Sequence, residues 1–406
     1  MYNKLVTSRY LDNYGLYIIL GLIFGLQIVM VGPLSVRIPT TPFSIAFRAL
    51  MLALSAFLCL RVIFFPKRIK MDTGMVWLLA FFLIYSLRFM YDMFILDIDI
   101  SPRLGGASRL SQMMFGSIII PLLGISVVRI KKPNLGKFIF YASLLQSLAI
   151  LYIFFVLYGA SMEAFVSRYY VSSIFHADDL GNPIGPIVIS RAGGILAIVS
   201  LLVRGINGWV KLVCFGLGIA LLLLGSSRGP LVAFGLCFLI IAYTFIRRGG
   251  FEIIALKIIG IGLLSAFIIL AMNFFMVEIN LGSVNRLMGM LDSGGQGEER
   301  LYTWTAAWEQ FKSSPVLGDK IVENYSNTYP HNIILEILMS VGLLGFIPFL
   351  IANYLAIRKF FSSMKGDHLI VGLLFIYLFI GVLVSGSIVT SPDYWMAFFL
   401  LLCLRK

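Results

Sequence analysis

The sequence predicts an all-α polytopic membrane protein of about twelve transmembrane helices, with both termini on the cytoplasmic side. Three observations predict it. Apolar runs of about 18 residues or more recur along the whole chain, and that is the length a helix needs to cross a bilayer. The chain is 60% hydrophobic and only 13% charged, with a mean hydropathy of +0.96, so it lacks the polar surface of a soluble globule. Lysine and arginine, finally, concentrate in every second loop. Backbone groups in lipid must find partners within their own segment, which makes helices the default. The short alternating segments of a β-barrel are not seen in the sequence.

Spans are expected at 14–33, 44–65, 74–91, 112–129, 138–159, 187–203, 208–225, 229–246, 253–276, 331–356, 368–387 and 391–404. The first follows Lys4 and Arg9 as the core of a signal peptide would. No small-residue cleavage site comes after it, so it reads as an uncleaved span. Orientation follows from the basic residues. Clusters such as Arg61, Lys67, Arg68 and Lys70, or Arg129, Lys131, Lys132 and Lys137, fall in alternate loops. Together with both tails these loops hold 20 of the 32 lysines and arginines, and the positive-inside rule makes that side cytoplasmic. The net charge of +13 thus has a topological explanation, and no single basic patch points to nucleic acid. Cys59, Cys214, Cys237 and Cys403 lie inside apolar spans without metal-like spacing and read as packing residues.

The opposite set of loops carries ten arginines, Arg37, Arg48, Arg88, Arg103, Arg109, Arg168, Arg191, Arg228, Arg286 and Arg300, but only two lysines, Lys312 and Lys320. Topology needs positive charge of either kind, so this bias asks for a second reason. A planar guanidinium binds phosphate oxygens in pairs and stays charged when partly desolvated. The plainer reading is pairing with acids, since 15 of the 19 acidic residues fall on this side. In the second outer loop, Asp97-Ile98-Asp99 has the form of a carboxylate pair for a divalent cation, but two residues are a weak pattern and no metal site is assigned. The third outer loop, from Ala160 to Ile187, holds Arg168, His176, Asp178 and Asp179, and its GNPIGP run predicts a structured turn before Arg191. His176 reads as a locally bonded loop histidine, with a contact to substrate as the other reading. The seventh and eighth spans are joined by Gly225-Ser-Ser-Arg-Gly-Pro230, where Ser227 suits a helix cap and Pro230 a first turn. That hairpin pins Arg228 at the outer face.

The sizeable polar stretch is 277–330, which leads into the tenth span. Leu301, Trp304, Trp308 and Phe311 recur there at helical spacing and form one apolar face, whose aromatics suit the membrane interface. Arg300 sits in the first turn of that helix, with an ion pair to Glu298 or Glu299 as its plainer reading. Pro330-His331-Asn332 then opens the tenth span. A histidine in a first turn faces the positive end of the helix dipole, and nearby arginines disfavour its cation further. The neutral imidazole is what a general base for a hydroxyl requires. A histidine bonded to backbone or to a lipid headgroup is the plainer alternative. Glu336 is ionisable within an apolar run, which makes it a functional candidate. It lies about 140° around the helix from His331 and would line up with Asn332 and Ser340 instead. Gly342 and Gly345 offer a surface for close helix packing.

Taken in order, these pieces resemble the O-antigen polymerase and O-antigen ligase superfamily of bacterial polysaccharide-assembly membrane proteins. They are Ser227-Arg228-Gly229 at an outer hairpin, then Arg300…Trp304…Ala307…Phe311…Pro315…Gly318. His331-Asn332 follows, and Gly342-Leu-Leu-Gly345 after that. Asn182-Pro183-Ile184 before the sixth span is also similar to polymerases of this group. The resemblance implies a GT-C-like, metal-independent, inverting glycosyltransferase with no cofactor, in the bacterial plasma (inner) membrane, working at its periplasmic face. Its donor would be an oligosaccharide on undecaprenyl diphosphate. Arg228, Arg300 and Arg191 would bind the diphosphate, His331 would activate the acceptor hydroxyl, and Asn332 and Glu336 would support them. A flippase and a chain-length regulator are the implied protein partners.

A polymerase passes the growing chain to the next lipid-linked repeat unit, whereas a ligase passes the finished chain to lipid A–core. The Asn182-Pro183-Ile184 loop and the compact long loop favour the polymerase. A transporter of lipid-linked sugars is the competing class. Such proteins are often built from repeated halves, but no half-to-half repeat is visible, and only Gly205 to Gly208 join the sixth and seventh spans.

Overall fold

The computed structural model describes residues 14–36, 38–64, 71–98, 100–101, 106–126, 134–158, 185–225, 227–246, 299–362 and 364–404. Its helices in chain order are α1 (Tyr14–Ser35), α2 (Thr41–Phe64), α3 (Thr73–Phe94), α4 (Gly106–Ile125), α5 (Leu135–Tyr158) and α6 (Pro186–Leu202). They continue with α7 (Gly208–Leu224), α8 (Arg228–Ile246), α9 (Glu299–Ser313), α10 (Ile333–Ser362), α11 (Gly366–Ser385) and α12 (Pro392–Cys403). Eight of them, α1 to α5 with α8, α10 and α11, are long and apolar enough to cross a membrane, while α6, α7 and α12 are apolar but shorter. Every span predicted within the described residues therefore coincides with an apolar helix. The predicted ninth span, 253–276, lies outside them, as do Asp99, Arg168, His176 and the Asn182-Pro183-Ile184 motif.

Three spans depart from expectation, of which α10 runs on to Ser362, past its predicted end at 356. α4 begins at Gly106, whose positive φ of 72° lets the chain turn into the helix, so Arg109 belongs to its first turn. α12, predicted as the twelfth span, is wrapped by protein. Its residues from Tyr394 to Leu402 are all buried, and it packs against α1, α3, α4 and α11. A helix apolar on every face must be enclosed by lipid or by other helices; Trp395 meets Phe82 edge to face at 4.7 Å, so here the neighbours are side chains. Small residues set the closest crossing. A Cβ on Gly193 of α6 or Gly218 of α7 would come within 2.4 or 2.7 Å of the facing backbone, so the two helices touch main chain to main chain.

α10 is broken in its middle. Gly342 adopts φ 56°, ψ −157°, a conformation open essentially to glycine alone. The break frees backbone groups within an apolar helix, where each would be costly without a partner. The turn after α9 supplies those partners. The amides of Leu343 and Leu344 donate to the carbonyls of Pro315 and Val316 at 2.9 and 3.0 Å, and the Asp319 amide donates to Met339 O at 2.7 Å. The approach is so close that a Cβ on Gly318 would sit 2.3 Å from Ser340, and one on Gly342 2.5 Å from the Val316 carbonyl oxygen. The two glycines thus form a clasp between loop and helix. The packing surface predicted at Gly342 receives a loop, while Gly345 lies at the crossing with α3, where a Cβ on it would come 3.7 Å from Ile84.

Strain at Gly342 and backbone collision at both clasp positions set the expected cost of a methyl group. Gly342→Ala and Gly318→Ala should each lower stability by at least about 2 kcal/mol. Gly216→Ala on α7, where a Cβ meets nothing within 4 Å, should be neutral. Thermal unfolding in detergent, followed by size-exclusion chromatography, makes that comparison.

Candidate active site

The candidate residues gather at the end of the helix bundle that carries α9, around the short connection from α11 to α12, Gly386–Ser391. That connection is held by Glu336 of α10. The Glu336 carboxylate is buried and accepts hydrogen bonds from Ser387 Oγ and the Ile388 amide, each at 3.0 Å. Trp395 Nε1 closes the same turn by donating to Ile388 O at 2.7 Å. The sequence placed Asn332 and Ser340 beside Glu336. Ser340 Oγ instead bonds the backbone carbonyl of Glu336, and the carboxylate turns to the connection, whose free amide and hydroxyl face it from another element.

Asn332 is the cap of α10. Its Oδ1 accepts from the amides of Ile334 and Leu335 at 3.0 and 3.2 Å. The helix therefore starts at Ile333, and His331 lies just outside it, not in its first turn as expected from the sequence. The physical reason is the backbone: His331 has φ 56°, a left-handed conformation that a helix cannot include. That turn sets the half-buried imidazole edge-on against Tyr329, with ring centroids 4.6 Å apart. Tyr329 is bonded through its hydroxyl to Thr390 of the α11–α12 connection, and Glu336 and Arg109 lie within electrostatic reach of it. Burial raises the Tyr329 pKa above the usual tyrosine value, so the hydroxyl stays protonated and able to donate throughout the physiological range.

α9 is docked onto this site. Trp304 Nε1 donates to Pro330 O at 2.8 Å, directly before His331. Gln310 Nε2 donates to Val322 O at 3.0 Å, and Thr303, Ala307 and Gln310 form the buried stripe. The apolar face read from the sequence is a different one. Leu301 and Trp308 are 48% and 45% exposed, so that part of the stripe turns away from the protein, as a face meant for an interface would, while Trp304 turns to Pro330. The loop after α9 is fixed from two directions. Asp92 at the end of α3, paired with Arg88 at 2.8 Å, accepts the Ile321 amide. The buried Glu323 gathers the amides of Tyr325 and Ser326 and the Thr328 hydroxyl.

Arg300, in the first turn of α9, donates to the Val384 carbonyl at 3.2 Å, at the end of α11. Gly229 packs on the same Val384: a Cβ there would lie 3.5 Å from its side chain. Val384 is thus a shared neighbour that brings the backbone next to Arg228 beside Arg300. The α7–α8 turn is tied down as well. The Ser227 amide donates to Ser190 Oγ, which itself donates to Leu222 O, and Tyr377 caps the group by donating to Ser190 O. Ser190 precedes Arg191, so Arg191 stands beside that turn. Its guanidinium pairs with Asp393 in the first turn of α12.

The outer arginines therefore divide. Arg88 and Arg191 satisfy the plainer expectation of acidic partners, and Arg300 rests on a helix-end carbonyl. Arg48 and Arg109 make no ion pair among the described residues. Arg37, Arg103, Arg168 and Arg286 lie outside the description. The sequence reading missed Tyr329, Thr390, Asp393 and the connection they surround. The available signal was the polar run Ser385-Gly-Ser-Ile-Val-Thr-Ser-Pro-Asp393, which is longer than two closely joined spans require.

A family model described as O-antigen ligase matches residues 213–319, from within α7 through α9 to the clasp at Gly318. The match supports the O-antigen polymerase and ligase superfamily that the motifs resemble. No curated protein matches the chain.

Glu336→Ala would strand a buried amide and hydroxyl without an acceptor, at about 1–3 kcal/mol for each group. Glu336→Gln keeps one acceptor oxygen and should cost less than half as much. Thermal melts of the two variants give the ratio; equal losses would mean that the carboxylate does not hold the connection.

Proposed function

We propose that this protein is a bacterial polysaccharide polymerase, making O-antigen, capsule or exopolysaccharide, which works at the outer face of the plasma membrane. It moves a growing glycan from undecaprenyl diphosphate to a hydroxyl of the next lipid-linked repeat unit. The observation that supports this reading is the meeting of three separate segments at one connection: the α6 to α8 arginine turn, the first turn of α9, and the Tyr329–His331 pair. The excess of lysine and arginine in the opposite loops argues that this end faces outward.

In this reading His331 is the general base. The acceptor oxygen attacks the anomeric carbon as its proton passes to the imidazole, and the bond from that carbon to the diphosphate oxygen breaks on the opposite face. Its electron pair leaves with the diphosphate, so configuration inverts. Charge grows on the leaving group as the bond lengthens. A guanidinium beside the leaving group stabilises that charge, and this is the part given to Arg300 and to Arg228, whose side chain lies outside the described residues. Arg191 starts paired with Asp393, so its contribution would be a positive charge held at fixed distance, or an exchange of partner when the diphosphate arrives. Asn332 and Glu336 act by position, fixing the start of α10 and the α11–α12 connection. No step in this scheme requires a metal or cofactor.

Ligase activity is the second reading, favoured by the description of the matching family. The test for both is purified protein in nanodiscs with lipid-linked repeat units, with and without lipid A–core. A ladder without lipid A–core establishes the polymerase. Transfer only onto lipid A–core establishes the ligase, and movement of lipid-linked units without joining would indicate a transporter. His331→Ala should lower the turnover number by about 10²-fold or more. Arg300→Lys should retain more activity than Arg300→Ala, because charge survives while paired hydrogen bonding is lost.

A further inference from the structure

Tyr302 of α9 and Tyr325 of the loop after it form a pair that the candidate site does not use. Their rings stack, with centroids 5.6 Å apart and planes 18° from parallel. Both side chains are nevertheless exposed, at 58% and 59%. On α9, Tyr302 lies about 100° or more around the axis from each of Leu301, Trp304, Trp308 and Phe311, but only about 20° from Glu309. Glu309 is itself exposed and pairs with Lys312 at 2.7 Å. The two rings thus stand on the polar side of the helix, apart from the stripe suited to a membrane interface. Tyr325 is held there by its backbone. Its amide donates to the Glu323 carboxylate at 2.6 Å, the Glu323 amide donates to Thr328 O at 2.7 Å, and the Asn327 carbonyl accepts the Ser101 amide at 3.1 Å. A single exposed aromatic needs no explanation, but two rings held nearly parallel on a braced turn make a preformed apolar surface. The same turn runs directly into Tyr329, against which His331 lies, and the stretch from Tyr325 to His331 spans at most about 22 Å.

We propose that Tyr302 and Tyr325 form a saccharide platform, on which the growing glycan rests a few sugars away from the bond being made. A sugar ring is amphipathic: its C–H groups gather on a face and its hydroxyls on the rim. The slightly positive C–H face suits the negative face of an aromatic ring, while the rim stays with water and with polar side chains such as Glu309 and Asn324. Tyrosine loses little conformational freedom in giving that contact, and these two are already ordered by each other and by the turn. The assignment rests on the glycan-transfer reading, whether polymerase or ligase. It commits to the donor chain, because that is the part of either reaction that lengthens away from the bilayer into water.

The experiment uses the full chain in nanodiscs and two readouts. The first is saturation-transfer NMR with the host cell's polysaccharide, cut to several repeat units and freed of lipid and phosphate. Wild type should give a transfer signal to the sugar C–H protons, Tyr302→Ala and Tyr325→Ala should lose most of it, and Tyr302→Phe and Tyr325→Phe should keep it. The second is transfer from a lipid-linked oligomer of several repeats. Each alanine variant should raise the KM for that donor about tenfold, with a turnover number within about twofold of wild type. Joining of two single repeat units, which offer less chain to the platform, should fall by less than about threefold. The alanine variants should melt as wild type does, since both rings are exposed. No NMR signal with wild type, an unchanged signal and KM in both alanine variants, or equal losses with long and short donors overturns the platform; in the last case the pair only braces the turn. Phenylalanine variants that fail as the alanines do overturn it as well, because the hydroxyl and not the ring face would then be the contact. So does activity lost in nanodiscs and regained in detergent, which would mean that the rings rest on lipid. A wild type that joins no sugars overturns the glycan-transfer reading and this role with it, whereas joining by indistinguishable variants overturns the platform alone.

Discussion

The carboxylate of Glu336 is the constraint on which the candidate site depends. A charged or protonated carboxyl inside an apolar helix is tolerated only where its oxygens are satisfied, and these are satisfied by one hydroxyl and one amide of a short connection. That connection fixes Thr390, Thr390 holds Tyr329, and Tyr329 sets the plane of His331. A second chain of contacts starts at the break in α10. There the turn after α9 replaces the missing helical hydrogen bonds, so α9 and Arg300 are referenced to the same helix as Glu336. One broken helix thus positions both the proposed base and a proposed phosphate ligand.

The arginines of this end show how one residue type serves different purposes under the same electrostatics. Where an acid is at hand, as for Arg88 and Arg191, the pair is part of the frame. Arg300 meets the carbonyl of Val384 among the described residues, while Glu298 and the Glu299 side chain, its expected ion-pair partners, lie outside them. A helix end offers partial negative charge, which orients a guanidinium without cancelling it. In the proposed reaction this would suit a group that meets an anion, since little has to be broken to release it.

Much of the helix layout was legible because lipid imposes a simple rule: apolar length predicts a span. Pro315, Gly318 and Gly342 were legible as a pattern but not as a mechanism, since nothing in one dimension says that a loop completes a broken helix. His331 was placed inside the first turn of α10, because Asn332 caps as readily as a histidine starts, and only φ at residue 331 decides between them. The face of α9 that packs on the protein was not read from the sequence. Thr303, Ala307 and Gln310 look neutral there, yet small and hydrogen-bonding groups pack well against backbone, while Leu301 and Trp308 of the apolar face stay exposed. The contacts among Glu336, Thr390 and Asp393 were illegible because they join elements about 50 or more residues apart and follow no local period.

The enclosure of α12 bears on how the protein tolerates change. Its residues from Tyr394 to Leu402 are buried among α1, α3, α4, α10 and α11, so a change of volume there must be absorbed by several helices at once. Because Trp395 of the same helix bonds the connection at Ile388, a repacked centre would be felt at the candidate site as well.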